Sequence, residues 1–228
     1  MPFRVGTNRI GRLVVGAETP SGLNIPTSGL YAWWDFNNPS SYTAGGSTVT
    51  DLSGNGNDGA VGSSITTGLD GSVRYIQASG GGSSNDGIGI SQDVTTDLAD
   101  ASYCIVVKAT NNTNQVLLRG LVSGGGYIAQ NSSGNFYYSR MGATITVYSN
   151  TTVDSTVIDT ADGWKLRTWT GLEMNDSVWS NGFELGGYPS GYGMEAQVVA
   201  LLMYDRALTA SEVSQIYTAY DTVIDLDT

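Results

Sequence analysis

The chain has 228 residues, enough to bury a full core without disulfide staples, with 40% hydrophobic and only 14% charged residues. That balance excludes a disordered chain, and a formal charge of −11 excludes a nucleic-acid partner, because nothing neutralises phosphates over a broad surface. The complete lack of histidine removes Ser–His triads, Cys–His dyads and the commonest zinc ligand together.

In chain order, the first 17 residues carry Arg4, Arg9 and Arg12 before any acid, so they hold +3 against −14 for the remainder. Phe3, Arg4, Arg9, Ile10 and Arg12 are the apolar anchors and basic groups of a docking peptide. Two readings stand: the segment binds a partner, by strand addition for instance, or it folds back as an edge strand of its own domain. It has no apolar stretch of signal-peptide length, so export by that route is not expected. Pro20, Gly22, Pro26 and Gly29 then mark a linker. The expected organisation is an arm over residues 1–28, a β domain over 29–220 and an acidic tail over 221–228.

Short apolar or alternating runs follow at 12–15, 30–36, 73–76, 103–107, 116–121, 144–148, 152–158, 164–170 and 197–204. They are rich in Val, Ile, Tyr, Trp and Thr and are separated by turns drawn from 31 glycines, which predicts a β-sandwich or jelly roll. Residues 103–107 and 198–204 are apolar on both faces and are expected at the centre of a sheet. Trp33, Ile105, Val107, Trp164, Leu166, Val199 and Leu201 are expected in the core. Cys104 reads as a buried filler, and a single cysteine forbids an internal disulfide. The longest apolar run, 198–204, is too short to cross a bilayer, so no membrane partner is expected. One helix is expected over 209–220, where Thr209 and Glu212 have capping-box spacing and Val213, Ile216, Tyr217 and Tyr220 share a face.

Gly54, Gly56 and Gly59 spell G-x-G-x-x-G, but the following AVGSSITTG cannot open the helix a dinucleotide needs, so the stretch reads as a turn. The same loop has oxygen side chains at alternate positions from Asp51, while Gly62 stands where a calcium loop carries its bidentate glutamate. Either Asp51 and Asp58 form part of a calcium site, the one cofactor the sequence suggests, or an Asp side chain fixes the loop by accepting backbone N–H bonds. Only Asp225 and Asp227 could share a strand face as a carboxylate pair, and they lie in the tail. Glu173 and Asp176, three apart, cannot share one, so the chain is not expected to be an enzyme. Along 164–170, Trp164, Leu166 and Thr168 read as core. Lys165, Arg167 and Trp169 point the other way, either as a glycan contact with Trp169 stacking a sugar, or as an amphipathic outer face or subunit contact.

The segment GLYAWWDFNNPSSYTAGGSTVTDLSGNGNDGAVGS, Gly29 to Ser63, resembles the opening of a laminin-G-like, concanavalin A-like jelly roll. VVALLMYDRALTASEVSQIYTAY resembles the last strand, turn and short helix of that family, and DSVWSNGFELG its strand pair with a hairpin at Asn181 and Gly182. With NNPSSY before the DLSGNGN loop, the domain is similar to those carried by tailed-phage virion proteins, and FRVGTNRIGRL resembles N-terminal attachment segments of phage particle proteins. The resemblance implies an all-β, antiparallel concanavalin A-like sandwich with one short C-terminal helix and an extended N-terminal arm. It implies a virion structural protein (capsid decoration, tail or fibre component) assembled in the host cytoplasm. Its partners would be other virion proteins, further copies of the chain and a host surface glycan. A free carbohydrate-binding lectin domain is the alternative.

Overall fold

The structure, a computed structural model, describes residues 22–226 apart from 80–86, 92, 112–114, 123–125, 133–134, 143, 155–158, 161 and 188–192. Phe3, Arg4, Arg9, Ile10 and Arg12, and Asp227 in the tail, lie outside the described residues. In chain order the strands are β1 (Leu30–Asp35), β2 (Thr48–Val49), β3 (Gly59–Val61), β4 (Ile65–Asp70), β5 (Val73–Ser79), β6 (Ile88–Ile90), β7 (Ala101–Ala109) and β8 (Gln115–Gly120). They continue with β9 (Tyr127–Gln130), β10 (Phe136–Ser139), β11 (Thr146–Ser149), β12 (Thr152–Val153), β13 (Lys165–Leu172), β14 (Phe183–Leu185) and β15 (Glu195–Tyr204), and the helix α1 (Ala210–Ile224) follows.

One sheet runs β12–β11–β13–β7–β15–β5–β4, with β1 also paired to β15; the other runs β10–β9–β8–β14–β6–β3–β2. β15 explains how the first sheet is organised. One edge pairs with β7 from Ala196 to Tyr204, and the other is shared between β5, at 195–198, and β1, at 200–204. All strand pairs are antiparallel, so the expected sandwich is the one observed.

Strands that are apolar on both faces need cover on both sides, and the fold supplies it. Alternate residues of β7 divide accordingly: Tyr103, Ile105 and Val107 enter the core between the sheets, and Cys104 and Val106 enter a second core on the outer face of the first sheet. Helix α1 closes that second core with Val213, Ile216, Ala219, Tyr220 and Ile224. Fully burying such a side chain contributes roughly 1.5–3 kcal/mol, so the stripe outweighs the cap, worth about 1 kcal/mol, in holding the helix down. Thr209 caps α1 with the expected box, its side chain accepting from the Glu212 N–H while Glu212 accepts the Thr209 N–H.

Several expectations are corrected. Trp33 is only half-buried: it faces α1, where its indole N–H donates to Tyr220 Oη at 2.9 Å. The helix continues four residues past Tyr220, and Ile224 and Leu226 are buried, so 221–226 belong to the domain and not to a tail. The linker is also partly docked, since Ile25 is buried and the Pro26 carbonyl accepts from Tyr204 Oη at 3.0 Å. Residues 177–179 form a single 3₁₀ turn instead of a hairpin strand; Trp179 is buried there, and β14 then pairs with β6 and β8. The run at 152–158 forms strand only at Thr152–Val153 among its described residues.

Candidate functional site

The exposed face assigned to β13 does not exist. β13 lies between β11 and β7, with its Trp164 and Leu166 side covered by the second core and its other side facing the second sheet. Trp169 is 0% exposed, stacked on Tyr103 with centroids 5.4 Å apart and edge-on to Phe136 at the same distance. It cannot offer a face to a sugar. Arg167 is 1% exposed, with Nη2 3.5 Å from Asp162, and burial pulls its pKa down against the opposing fields of Asp162 and Asp154. Of the three, only Lys165 reaches a surface cleft, beside Asn150, Asp154 and Tyr217.

The Asp51 loop is built as a clamp. Asp51 Oδ1 accepts the N–H of Trp33 and of Ser53, both at 2.9 Å; Oδ2 accepts Ser53 Oγ–H at 2.6 Å and Asn57 N–H at 3.0 Å. Asp58 in turn accepts the Asp51 N–H at 2.8 Å, and Asn55 and Asn57 donate to the Tyr31 carbonyl. Each Asp51 oxygen therefore carries two donors and points at hydrogen atoms, an environment that does not fit a cation. Among the described residues no group of three or more Cys, Asp or Glu is placed to hold a metal.

The other carboxylates are engaged singly. Asp176 pairs with Arg140 at 3.2 Å near the surface, and Glu173 is exposed. Glu184, on the outward face of the second sheet, is buried against Arg119, whose Nε and Nη2 both reach Oε1, at 2.7 and 2.6 Å. Gly89 stands across the ladder from Glu184, where a Cβ would come within 2.8 Å of the Glu184 Cβ, so the pair is tightly enclosed. Cys104 is buried with its thiol pushed up to about 12 by burial, so no thiolate forms near neutrality.

A different surface combines an aromatic ring with polar groups that the fold leaves unused. On the outer face of the first sheet, beyond α1, the ladder sets Thr66, Gln77, Gln197 and Lys108 side by side on four adjacent strands. Tyr75, two residues before Gln77, lies on the same face, and its ring rests on Gly68, where any Cβ would collide with ring carbon Cζ. Asp70 Oδ2 accepts both Lys108 Nζ–H at 3.1 Å and Trp164 Nε1–H at 3.0 Å, while Lys108 lies 5.8 Å over the Trp164 ring. The Lys108 contacts hold the Asp70 carboxyl below the usual range. Tyr75, Gln77 and Gln197 are all half-buried, and neither glutamine amide has a hydrogen-bond partner among the described residues. Sequence reasoning missed this group because Gln77 and Gln197 are brought together only by the β5–β15 register.

Three solved structures share this architecture. Trypanosoma rangeli sialidase superposes with a TM-score of 0.52 at 13% identity, covering 86% of this chain and 34% of its own. The same sialidase in complex with the inhibitor DANA gives 0.51 at 12%, with 85% and 33% covered. Domain 4 of AbnA, a GH43 extracellular arabinanase from Geobacillus stearothermophilus, in complex with arabinotriose, gives 0.50 at 18%, with 82% and 98% covered. The fold is a concanavalin A-like β-sandwich. This sandwich spans about a third of the sialidases' length and nearly all of the arabinanase domain. No protein-family model matches the chain, and no curated protein matches it either.

Proposed function

We propose that this β-sandwich is a non-catalytic structural protein of a tailed-phage virion, a capsid decoration, tail or fibre component, held by its N-terminal arm and displaying the sandwich for adhesion to a host glycan. One observation carries the attachment half of the reading. The first 17 residues carry +3 with apolar anchors ahead of a body that carries −14, while the named strands between residues 30 and 204 pair with one another. A basic, apolar peptide ahead of an acidic body is suited to an acidic or strand-edge partner, since guanidinium groups pair bidentately with carboxylates. The adhesion half draws support from the arabinanase domain, which shares the fold and was solved with arabinotriose.

The test is deletion of residues 2–16. The shortened protein should remain folded, with an unchanged far-UV spectrum, and should no longer enter particles when it replaces the full chain during infection. Incorporation at the normal level would place the attachment surface elsewhere, and loss of folding would make the arm part of the core.

A further inference from the structure

Building on that adhesion reading, we propose that the outer face of the first sheet beside α1, formed by Tyr75, Gln77, Gln197 and Thr66 with the Lys108–Asp70 pair, is a binding site for a neutral glycan. Tyr75 supplies the stacking surface. Gly68 lets the ring lie against the sheet, and the half-buried ring keeps part of its surface open to solvent for the C–H side of a sugar. Its position is fixed from the side by Trp164, 6.1 Å away between centroids, which Asp70 holds through the indole N–H.

The amides supply the polar contacts. Gln77 and Gln197 are direct cross-strand neighbours, about 5 Å apart on the sheet, and Gln77 lies about 7 Å along the strand from Tyr75. Each amide presents two N–H donors and one acceptor oxygen, matching a sugar hydroxyl, which both donates and accepts. Their partners are not supplied by the described protein, so hydrogen bonds to a ligand would replace only water. A ring flanked by a few convergent polar groups is the chemistry of a sugar subsite.

Charge selects the class of glycan. Among the described residues the one cation of the patch, Lys108, is already paired with Asp70 and lies over Trp164, so none of them is left free there for a carboxylate or sulfate. The chain as a whole carries −11, which disfavours uronates and sialic acids at low salt. A neutral glycan meets neither penalty.

The experiment measures binding of the full chain to immobilised arabinotriose, xylotriose, mannotriose and cellotriose, with sialyllactose and trigalacturonate as anionic counterparts. It is repeated with the double variant Gln77→Ala/Gln197→Ala, with Tyr75→Ala and with Tyr75→Phe. Native protein should bind at least one neutral glycan. Tyr75→Phe should keep that binding, while Tyr75→Ala and the double variant should lose about tenfold or more in affinity. The glutamines are half-exposed, so the double variant should melt with the native protein and stands as the test should Tyr75→Ala fail to fold. Neutral-glycan binding undiminished in the double variant would overturn this site and leave the adhesion reading intact. Binding of the anionic glycans alone would overturn the ligand class, and no binding by native protein would overturn the adhesion reading together with the site.

Discussion

A buried carboxyl under the helix gives the molecule a pH signature. Asp35 ends β1 at 2% exposure, and desolvation raises its pKa to about 6 although Oδ1 accepts the N–H groups of Asn37 and Asn38 and Oδ2 faces Tyr220 Oη at 3.4 Å. The folded pKa lies above the unfolded value, so the folded state binds more protons between the two. Asp35 therefore costs nothing below about pH 4, and stability falls as pH rises through about 6, by about 3 kcal/mol for a shift of this size. Asp35→Asn keeps an acceptor for the two N–H groups and removes the charge. It should raise stability at pH 7 by up to that amount and flatten the decline between pH 4 and 6, as read from urea melts at stepped pH. An unchanged decline would assign it to another group. Glu212 runs the other way. Arg206, with Nη2 2.5 Å from Oε1, and the Thr209 N–H lower its pKa to about 2, so its contribution is present above about pH 4.5 and is lost as pH falls through 2.

The strands differ in how clearly the sequence announces them. β1, β5, β7, β11, β13 and β15, all of the first sheet, coincide with apolar runs because one face is covered by the second sheet and part of the other by α1 and the segment before β1. In the second sheet only β8 coincides with one. Its other strands are two to four residues long and place Gly59, Ala60, Gly89 or Ala129 where a pattern would need a large apolar or polar residue. Gly89 illustrates the reason: its missing side chain lets β6 close on β14, and an added Cβ would be driven into the Phe183 carbonyl and the Glu184 backbone. Gly89→Ala should accordingly destabilise by about 1–3 kcal/mol, the usual cost of overpacking against atoms that cannot move. A melt within 0.5 kcal/mol of native would show the ladder to be more yielding than this. The helix was legible to the residue at its start and short at its end. Thr209→Ala should cost about 1 kcal/mol through the lost cap, measurable in the same urea melts.

At the scale of the molecule, the sequence read alone predicts the layers but reverses the faces. It takes the Trp169 side of β13 for an outer face because alternation marks which residues share a face without saying what covers it. Helix α1 and the Ile25 segment decide that question; far apart in sequence, they lie side by side on one core, with Gln215 donating to the Asn24 carbonyl. The same limit hides the Tyr75 surface, whose residues come from four strands and become neighbours only through register. The Asp51 loop was legible in its residues and open in its role; four donors on one carboxylate make it a clamp between the loop and β1. On the reading proposed above, the acidic sandwich is the displayed module and the basic segment ahead of it the attachment. Labelling intact, purified phage particles with antibody raised against the sandwich tests that claim most directly. Decoration of the particle surface is the expected result, whereas chain recovered from the lysate but absent from purified particles would contradict it.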